Sequence, residues 1–339
     1  MSVTRVKKMT KTIKFKLLFP IILLTSLAFL LFQQKYSQLK DSKKTSISIA
    51  VSHTPLSAPF FIAQQQGFFS QHNLDVTLVN CSGGVRCMKE MFSGHVDYST
   101  ASETVAMFNR FNRQDFNLLS SFVTSTNDIK IITKKSNNIT RAADLLSRPI
   151  GAIKSSASEF YLDTYLLLNN INPNSAQIVF YSPEELSQAL LNDDVVAIST
   201  WEPHIYNINS QNANLLTDLS LNGIYQLNFN LFSMKHPMST LSTTDKKLLD
   251  SLRSAIDWIS NNDEETQQII ADKLSTSKQQ IAWTWGDYFF HLSLSNSLLA
   301  NIELQARWAL EKGRIPKQPM PNFRDLLTTE STPAPVKLN

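Results

Sequence analysis

Five short segments carry the residues that could do chemistry: Ser52-His53-Thr54-Pro55-Leu56, Ser82-Gly83-Gly84, Ser99-Thr100-Ala101-Ser102-Glu103, Ser155-Ser156-Ala157-Ser158 and Thr200-Trp201-Glu202-Pro203-His204. The first four are rich in hydroxyls and small residues, and each separates a strand-like run from a helical one. A helix N-terminus offers unpaired N–H groups and a partial positive charge, so loops of this kind suit a small polar or anionic ligand. The fifth adds an aromatic wall and a carboxylate. The candidate contacts are therefore His53, Thr54, Pro55, Leu56, Ser82, Gly83, Gly84, Thr100, Ser102, Glu103, Ser155, Ser156, Ser158, Trp201 and Glu202.

Each has a plainer role open to it. Ser and Thr before a helix cap its N-terminus in most proteins. Gly83-Gly84 is a tight turn as readily as a ligand loop, and Trp201 suits interdomain packing. Glu103 and Glu159 fall in first helical turns, where acids favour the dipole; facing a cleft, either would favour a ligand bearing an amine. Arg86 either reaches an anion or is solvated, and His53 and His204 read as surface or hinge histidines. Cys81 and Cys87 lie six apart, one ending a strand and one opening a helix. They form either a disulfide that clamps Ser82–Arg86 or two buried thiols.

Other chemistries are disfavoured. Gly is only 8 of 339 residues, with neither G-x-G-x-x-G nor G-x-x-x-x-G-K-[ST], so phosphate-cradling glycine loops are absent. Two Cys and six scattered His without H-E-x-x-H give no metal site, and no cofactor is expected. No nucleophile elbow or positioned Cys-His pair points to an enzyme.

The loops are positioned by alternating elements. Strand-like runs at 46–51, 74–79, 96–100 and 116–123 alternate with helical patterns at 58–69, 85–92 and 102–111, which implies a mostly parallel sheet with its functional loops at the carboxyl ends of the strands. After 129–134 the rhythm restarts through 195–200, suggesting a second α/β unit inserted into the first. Residues 224–234 are apolar enough to return to the opening domain, and helices follow at 241–260, 264–274 and 295–313. Phe60, Phe61, Phe68 and Phe69 read as core; Trp283, Trp285, Tyr288, Phe289 and Phe290 either cover a hydrophobic seam between the C-terminal helices and a lobe or contact a membrane partner.

The formal charge of +4 is unevenly placed. Ten of the 32 basic residues precede residue 45, where Asp41 is the only acid, so the remainder carries a net −5 and a nucleic-acid-binding body is disfavoured. Residues 1–16 form a basic cytoplasmic flank, and 17–32 (LLFPIILLTSLAFLLF) form an uncharged run on the border between a membrane anchor and a cleaved signal. By the positive-inside rule the flank stays cytoplasmic and the body is exported. Residues 33–45 read as a tether and 328–339 as a disordered tail.

The ordered segments resemble the type II periplasmic solute-binding proteins of the nitrate/sulfonate/taurine and thiamine-pyrimidine group. PLSAPFFIAQQQGFFSQHNLDVTLV (55–79) resembles that family's opening pattern, CSGGVRCMKEMFSGHVDYSTASETVAM (81–107) its "sgg...al..G.vD" segment, and 151–205 its second-domain pattern ending in "weP". Asn73 stands where the family usually has Gly, and Asn tolerates the left-handed turn. Val196-Ala197 replaces the usual Asp-Ala. The resemblance implies an α/β fold of two lobes, 46–126 with 222–327 and 127–221, each a mostly parallel sheet flanked by helices and preceded by the N-terminal membrane helix. It implies a non-enzymatic protein that captures a small polar or anionic solute (sulfonate, nitrate, taurine or pyrimidine type) between the lobes. Delivery to a cognate ABC permease and ATPase follows, at the periplasmic face of the inner membrane through residues 17–32, or free in the periplasm after cleavage. The alternative is a ligand-sensing regulatory module of the same fold.

Overall fold

A computed structural model describes residues 44–211, 215–235 and 241–327. The expected membrane segment (17–32), its basic flank, most of the tether and the tail (328–339) lie outside the described residues. Among the described residues, no helix is long and apolar enough to cross a membrane.

The first described element is β1 (Thr45–Ser52), whose first residue falls inside the expected tether. A 3-10 turn at Pro55–Ser57 leads into α1 (Ala58–Gln65), started by Pro59, followed by α2 (Phe68–Gln71) and β2 (Leu74–Cys81). Between α2 and β2, Asn73 takes φ 57°, the left-handed turn that Asn accepts with little strain. α3 (Gly83–Phe92), β3 (Tyr98–Ser102), α4 (Glu103–Arg110) and β4 (Phe116–Ser125) follow.

Next come β5 (Ile129–Lys134), β6 (Pro149–Ala152), α5 (Ala157–Leu168), β7 (Gln177–Phe180), α6 (Pro183–Leu191), β8 (Ala197–Trp201), α7 (His204–Gln211) and β9 (Leu216–Asp218). Ser182 caps α6 and closes a capping box with Glu185, while Pro183 takes the first helical position. The last elements are β10 (Leu227–Met234), α8 (Thr243–Asn261), α9 (Asp263–Leu274), α10 (Lys278–Trp285), β11 (Phe289–Ser293) and α11 (Asn296–Glu311).

The strands form two sheets, one of six in the order β11-β4-β10-β3-β1-β2 and one of five in the order β7-β6-β8-β5-β9. Neither is mostly parallel, which corrects the expectation from the β-α-β rhythm. β1 pairs in parallel with β2 and β3, and β6 with β7 and β8. β10 runs antiparallel to β3 and β4, β11 to β4, and β5 to β8 and β9. The physical reason is the crossing: β5 and β10 are the first strands the chain lays down on entering each sheet from the other, and no crossover helix sets their direction.

Phe60, Phe61 and Phe69 are buried and Phe68 is half-buried. The aromatic cluster near the C-terminus divides instead. Trp285 and Tyr288 are buried, while Trp283 is 62% and Phe289 66% exposed. Two residues apart on a helix point about 200° around the axis, so Trp283 and Trp285 cannot both face the core.

Candidate binding cavity

Three helix N-termini converge on one internal cavity of ≈ 30 Å³, contributed by α3 (Gly83, Gly84, Val85), α4 (Ser102, Val105) and α5 (Ser156, Ala157). Ser52, Thr54 and Leu56 from the end of β1, Asp128 and Ile129 at the start of β5, Trp201 at the end of β8, and Leu227 and Phe229 of β10 complete the lining. Residues of both sheets thus meet at the carboxyl ends of β1, β3 and β8, where open α/β sheets place their ligands.

The helix starts differ in how much donor capacity they leave free. Ser102 Oγ accepts from Val105 N at 3.4 Å, and Ser156 Oγ accepts from Ser158 N at 3.2 Å while donating to Ile153 O at 2.6 Å. At α3, Ser82 makes no side-chain cap bond, so the first N–H groups of that helix stay available. Gly83 takes φ +74°, and a Cβ there would lie 3.1 Å from Trp201 Cζ2; only glycine lets the indole seat against this turn. Gly83, Val85 and Trp201 also line a larger outer cleft of ≈ 670 Å³ with Ser82, Arg86, Lys154 and Ser182, so the indole forms the wall between the two spaces. Thr54 is 5% exposed, lines the cavity, and its Oγ1 has no hydrogen-bond partner.

Of the residues expected from sequence, Thr54, Leu56, Gly83, Gly84, Ser102, Ser156 and Trp201 line the cavity, and the others do not. His53 is exposed at the outer lip beside Cys81, Ser82 and Glu184. Ser82 faces the outer cleft, where its hydroxyl is the chief reason the Glu184 carboxyl is held below the usual range. Pro55 is buried at the first position of its turn. Thr100 Oγ1 accepts from Ser52 N at 3.0 Å, and Ser158 Oγ donates to Ser199 O at 2.7 Å, so both serve the strands behind the cavity. Ser155, at φ 54°, donates its N–H to Glu159 Oε2 at 2.7 Å, a cap-type role for that acid. Arg86 pairs with Glu90 at 2.7 Å on the surface. Cys81 and Cys87 are bridged, with Cα atoms 5.5 Å apart, which ties the end of β2 to the first turns of α3.

Glu103 turns away from the cavity into a polar cluster. Its Oε1 accepts from Tyr225 Oη (2.6 Å), Asn301 Nδ2 (3.1 Å) and Gln305 Nε2 (3.0 Å), and its Oε2 from Asn228 N (2.9 Å). Burial nevertheless outweighs these donors and pushes its carboxyl up to about 7. Glu202, 2% exposed, stands behind Trp201 and accepts from Tyr206 N at 3.1 Å; burial pushes it up to about 7 as well.

Asp128 is the residue sequence reasoning missed. It is 2% exposed, lines the cavity, and takes one hydrogen bond on Oδ1 from Tyr288 Oη at 2.8 Å. Burial drives its carboxyl up to about 7, opposed by the Tyr288 donor. A lone acid ahead of an apolar strand carries no periodic signal, and only the crossing between the sheets brings it here. Val105, Leu227 and Phe229 were missed because they read as ordinary core.

The fold is similar to that of the alkanesulfonate-binding protein SsuA from Xanthomonas axonopodis pv. citri bound to MOPS: TM-score 0.72, 15% identity, covering 82% of this chain and 97% of that one. The periplasmic aliphatic sulphonate binding protein SsuA from Escherichia coli gives a TM-score of 0.70 and 15% identity over 85% of this chain and 98% of that one. The desulfurization enzyme DSZB gives 0.59 and 14% over 85% and 97%. No curated protein matches the chain. Two α/β sheets with a cavity between their strand-to-helix loops define the class: this is a two-lobed protein of the type II periplasmic-binding-protein fold. The chain belongs to the NMT1/THI5-like family, whose model matches residues 54–266.

Proposed function

We propose that this protein captures a small polar solute between lobes formed by residues 46–126 with 222–327 and by 127–221, and delivers it to an ABC permease. The observation that carries the reading is the convergence of three helix N-termini from both lobes on one cavity that also holds the buried, unpartnered Thr54 hydroxyl. Free N–H groups at helix starts bind an anionic end; they cost nothing to organise because the helices already fix them. Ser102 and Ser156 are engaged in helix caps, so their hydroxyls serve as positioned groups and not as nucleophiles. Ligand bound by both lobes favours the closed form over the open one, the condition for capture by closure.

The lining also narrows the solute. Asp128 and the Trp201 indole line the same cavity as the helix N-termini. Nitrate offers nothing to a carboxylate, whereas a solute with an anionic end and an amine satisfies both walls, which favours the taurine type within the sulfonate group. The apolar run 17–32 holds the body at the periplasmic face of the membrane, and alkaline extraction of membranes tests this, since release of the protein counts against an anchor.

The direct test is a thermal-shift screen of the full chain against taurine, alkanesulfonates, nitrate and aminopyrimidines, because a ligand of the folded state raises the midpoint by mass action. Calorimetry on Trp201→Ala with the best solute then follows. Unchanged affinity removes this cavity as the site.

A further inference from the structure

Asp128 and Glu202 meet where the β5–β8 ladder ends. Ile129 pairs with Trp201, so the antiparallel register carries Asp128 opposite Glu202, one step past the last pair. Residues directly opposite in such a ladder hold their Cβ atoms about 4.5–5.5 Å apart. Both are 2% exposed. Asp128 takes the Tyr288 hydroxyl on one oxygen, and Glu202 takes the Tyr206 N–H on Oε2, while Glu202 Oε1 is buried with no hydrogen-bond partner.

The groups facing the pair do not neutralise two negative charges. Lys130 on β5 is the one cation acting on both among the described residues, and its ammonium is already bonded to Asn127 Oδ1 at 3.0 Å and lies 3.6 Å from Asp218. Asp287, ahead of β11, adds further negative charge near Asp128, and Asp218 does so near Glu202. Trp283 on α10 and Tyr288 offer neutral donors; burial and Asp128 keep the Tyr288 hydroxyl protonated. Two ionised carboxylates buried at adjacent positions with one shared cation, itself engaged by Asn127 and Asp218, are unstable, and retaining a proton relieves both the desolvation and the repulsion.

We infer that, without solute, Asp128 and Glu202 hold one proton between them, and that a solute presenting an ammonium group to Asp128 displaces that proton to the solvent. This rests on the solute-capture reading and adds to it that capture is coupled to proton release and selects for a cationic group. Burial raises both carboxyls, which favours a retained proton, and the titration belongs to the pair and not to either residue. Only Asp128 lines the cavity, so it is the specificity-determining member, and Glu202 is a positioning residue that acts through it.

The test has two arms. Carbon-13 carboxyl NMR of the full chain without solute, titrated from about pH 4 to 9, reads the pair by itself. The expected result is a coupled titration with one midpoint near 7, and a fall in the Asp128 midpoint in Glu202→Gln. Independent transitions of both carboxyls below about pH 5 overturn the shared proton. In the second arm, calorimetry at about pH 6 uses taurine and ethanesulfonate, which differ in the amine, each in phosphate and in Tris. Taurine enthalpy is expected to differ between buffers by the release of about one proton and ethanesulfonate enthalpy to be the same in both; Asp128→Asn is expected to weaken taurine at least about tenfold and ethanesulfonate by less than about twofold. Buffer-independent taurine binding overturns the coupling. If neither sulfonate binds, the solute class fails, and the first arm still decides the shared proton.

Discussion

Gly84→Ala tests whether the start of α3 is held where the cavity needs it. Gly84 has no backbone strain to relieve, so alanine gains helix propensity of at most about 1 kcal/mol. Against this, the new Cβ would lie 2.8 Å from both the Cα and the Cβ of Ala101 and 3.3 Å from Ser102 N. Ala101 sits on β3, hydrogen-bonded between β1 and β10, and cannot yield. α3 must therefore retreat by at least about half an ångström to reach ordinary contact, at an overpacking cost of about 1–3 kcal/mol. The clash wins, and net destabilisation of about 1 kcal/mol is expected from urea unfolding. The retreat also carries away the N–H groups of Gly83–Val85; losing one hydrogen bond to a charged ligand costs about 1.5–3 kcal/mol, or roughly ten- to hundredfold in affinity by calorimetry. Gly94→Ala is the control. It meets open space at φ +73°, so it lowers stability through its backbone but leaves affinity unchanged. A Gly84→Ala protein of wild-type stability and affinity would refute the reasoning.

Replacing both bridged cysteines, Cys81→Ser with Cys87→Ser, opens a loop of sequence separation 6 and should lower unfolding free energy by about 2 kcal/mol, with weaker solute binding as the α3 start loosens; an unaltered urea midpoint contradicts this. Burial raises Glu103 to about 7 and keeps a shared proton on the Asp128–Glu202 pair above the unfolded carboxylate range, so the native state binds more protons between about pH 4.5 and 7. Stability is then present in full below that window and lost as pH rises through it; a flat urea midpoint from pH 5 to 8 sinks the assignment. Arg314 holds Asp163 at 2.8 Å and Glu159 at 3.2 Å, both acids nearly fully buried, so Arg314→Ala should cost about 3–5 kcal/mol by leaving them unpaired, measured by urea unfolding.

Most of the elements and their connecting loops were legible in the residue pattern. Helix starts announced themselves through the serines of the cavity caps, because capping is local chemistry readable in a few residues. Loops at strand ends named seven residues that do line the cavity, since the ends of strands and the starts of helices are where N–H groups go free. Strand direction was not readable. β5 and β10 look like any apolar run, and their antiparallel pairing depends on which sheet the chain enters and from which side. Tertiary structure alone decided that Glu103 faces a buried cluster while Asp128 faces the cavity. Both are single acids beside apolar segments, and what separates them is the register of strands more than fifty residues apart in the chain, which brings Ile129 against Trp201 and so sets Asp128 beside Glu202. Charge fixed locally at helix ends is written in the sequence; charge fixed by the pairing of distant strands is not.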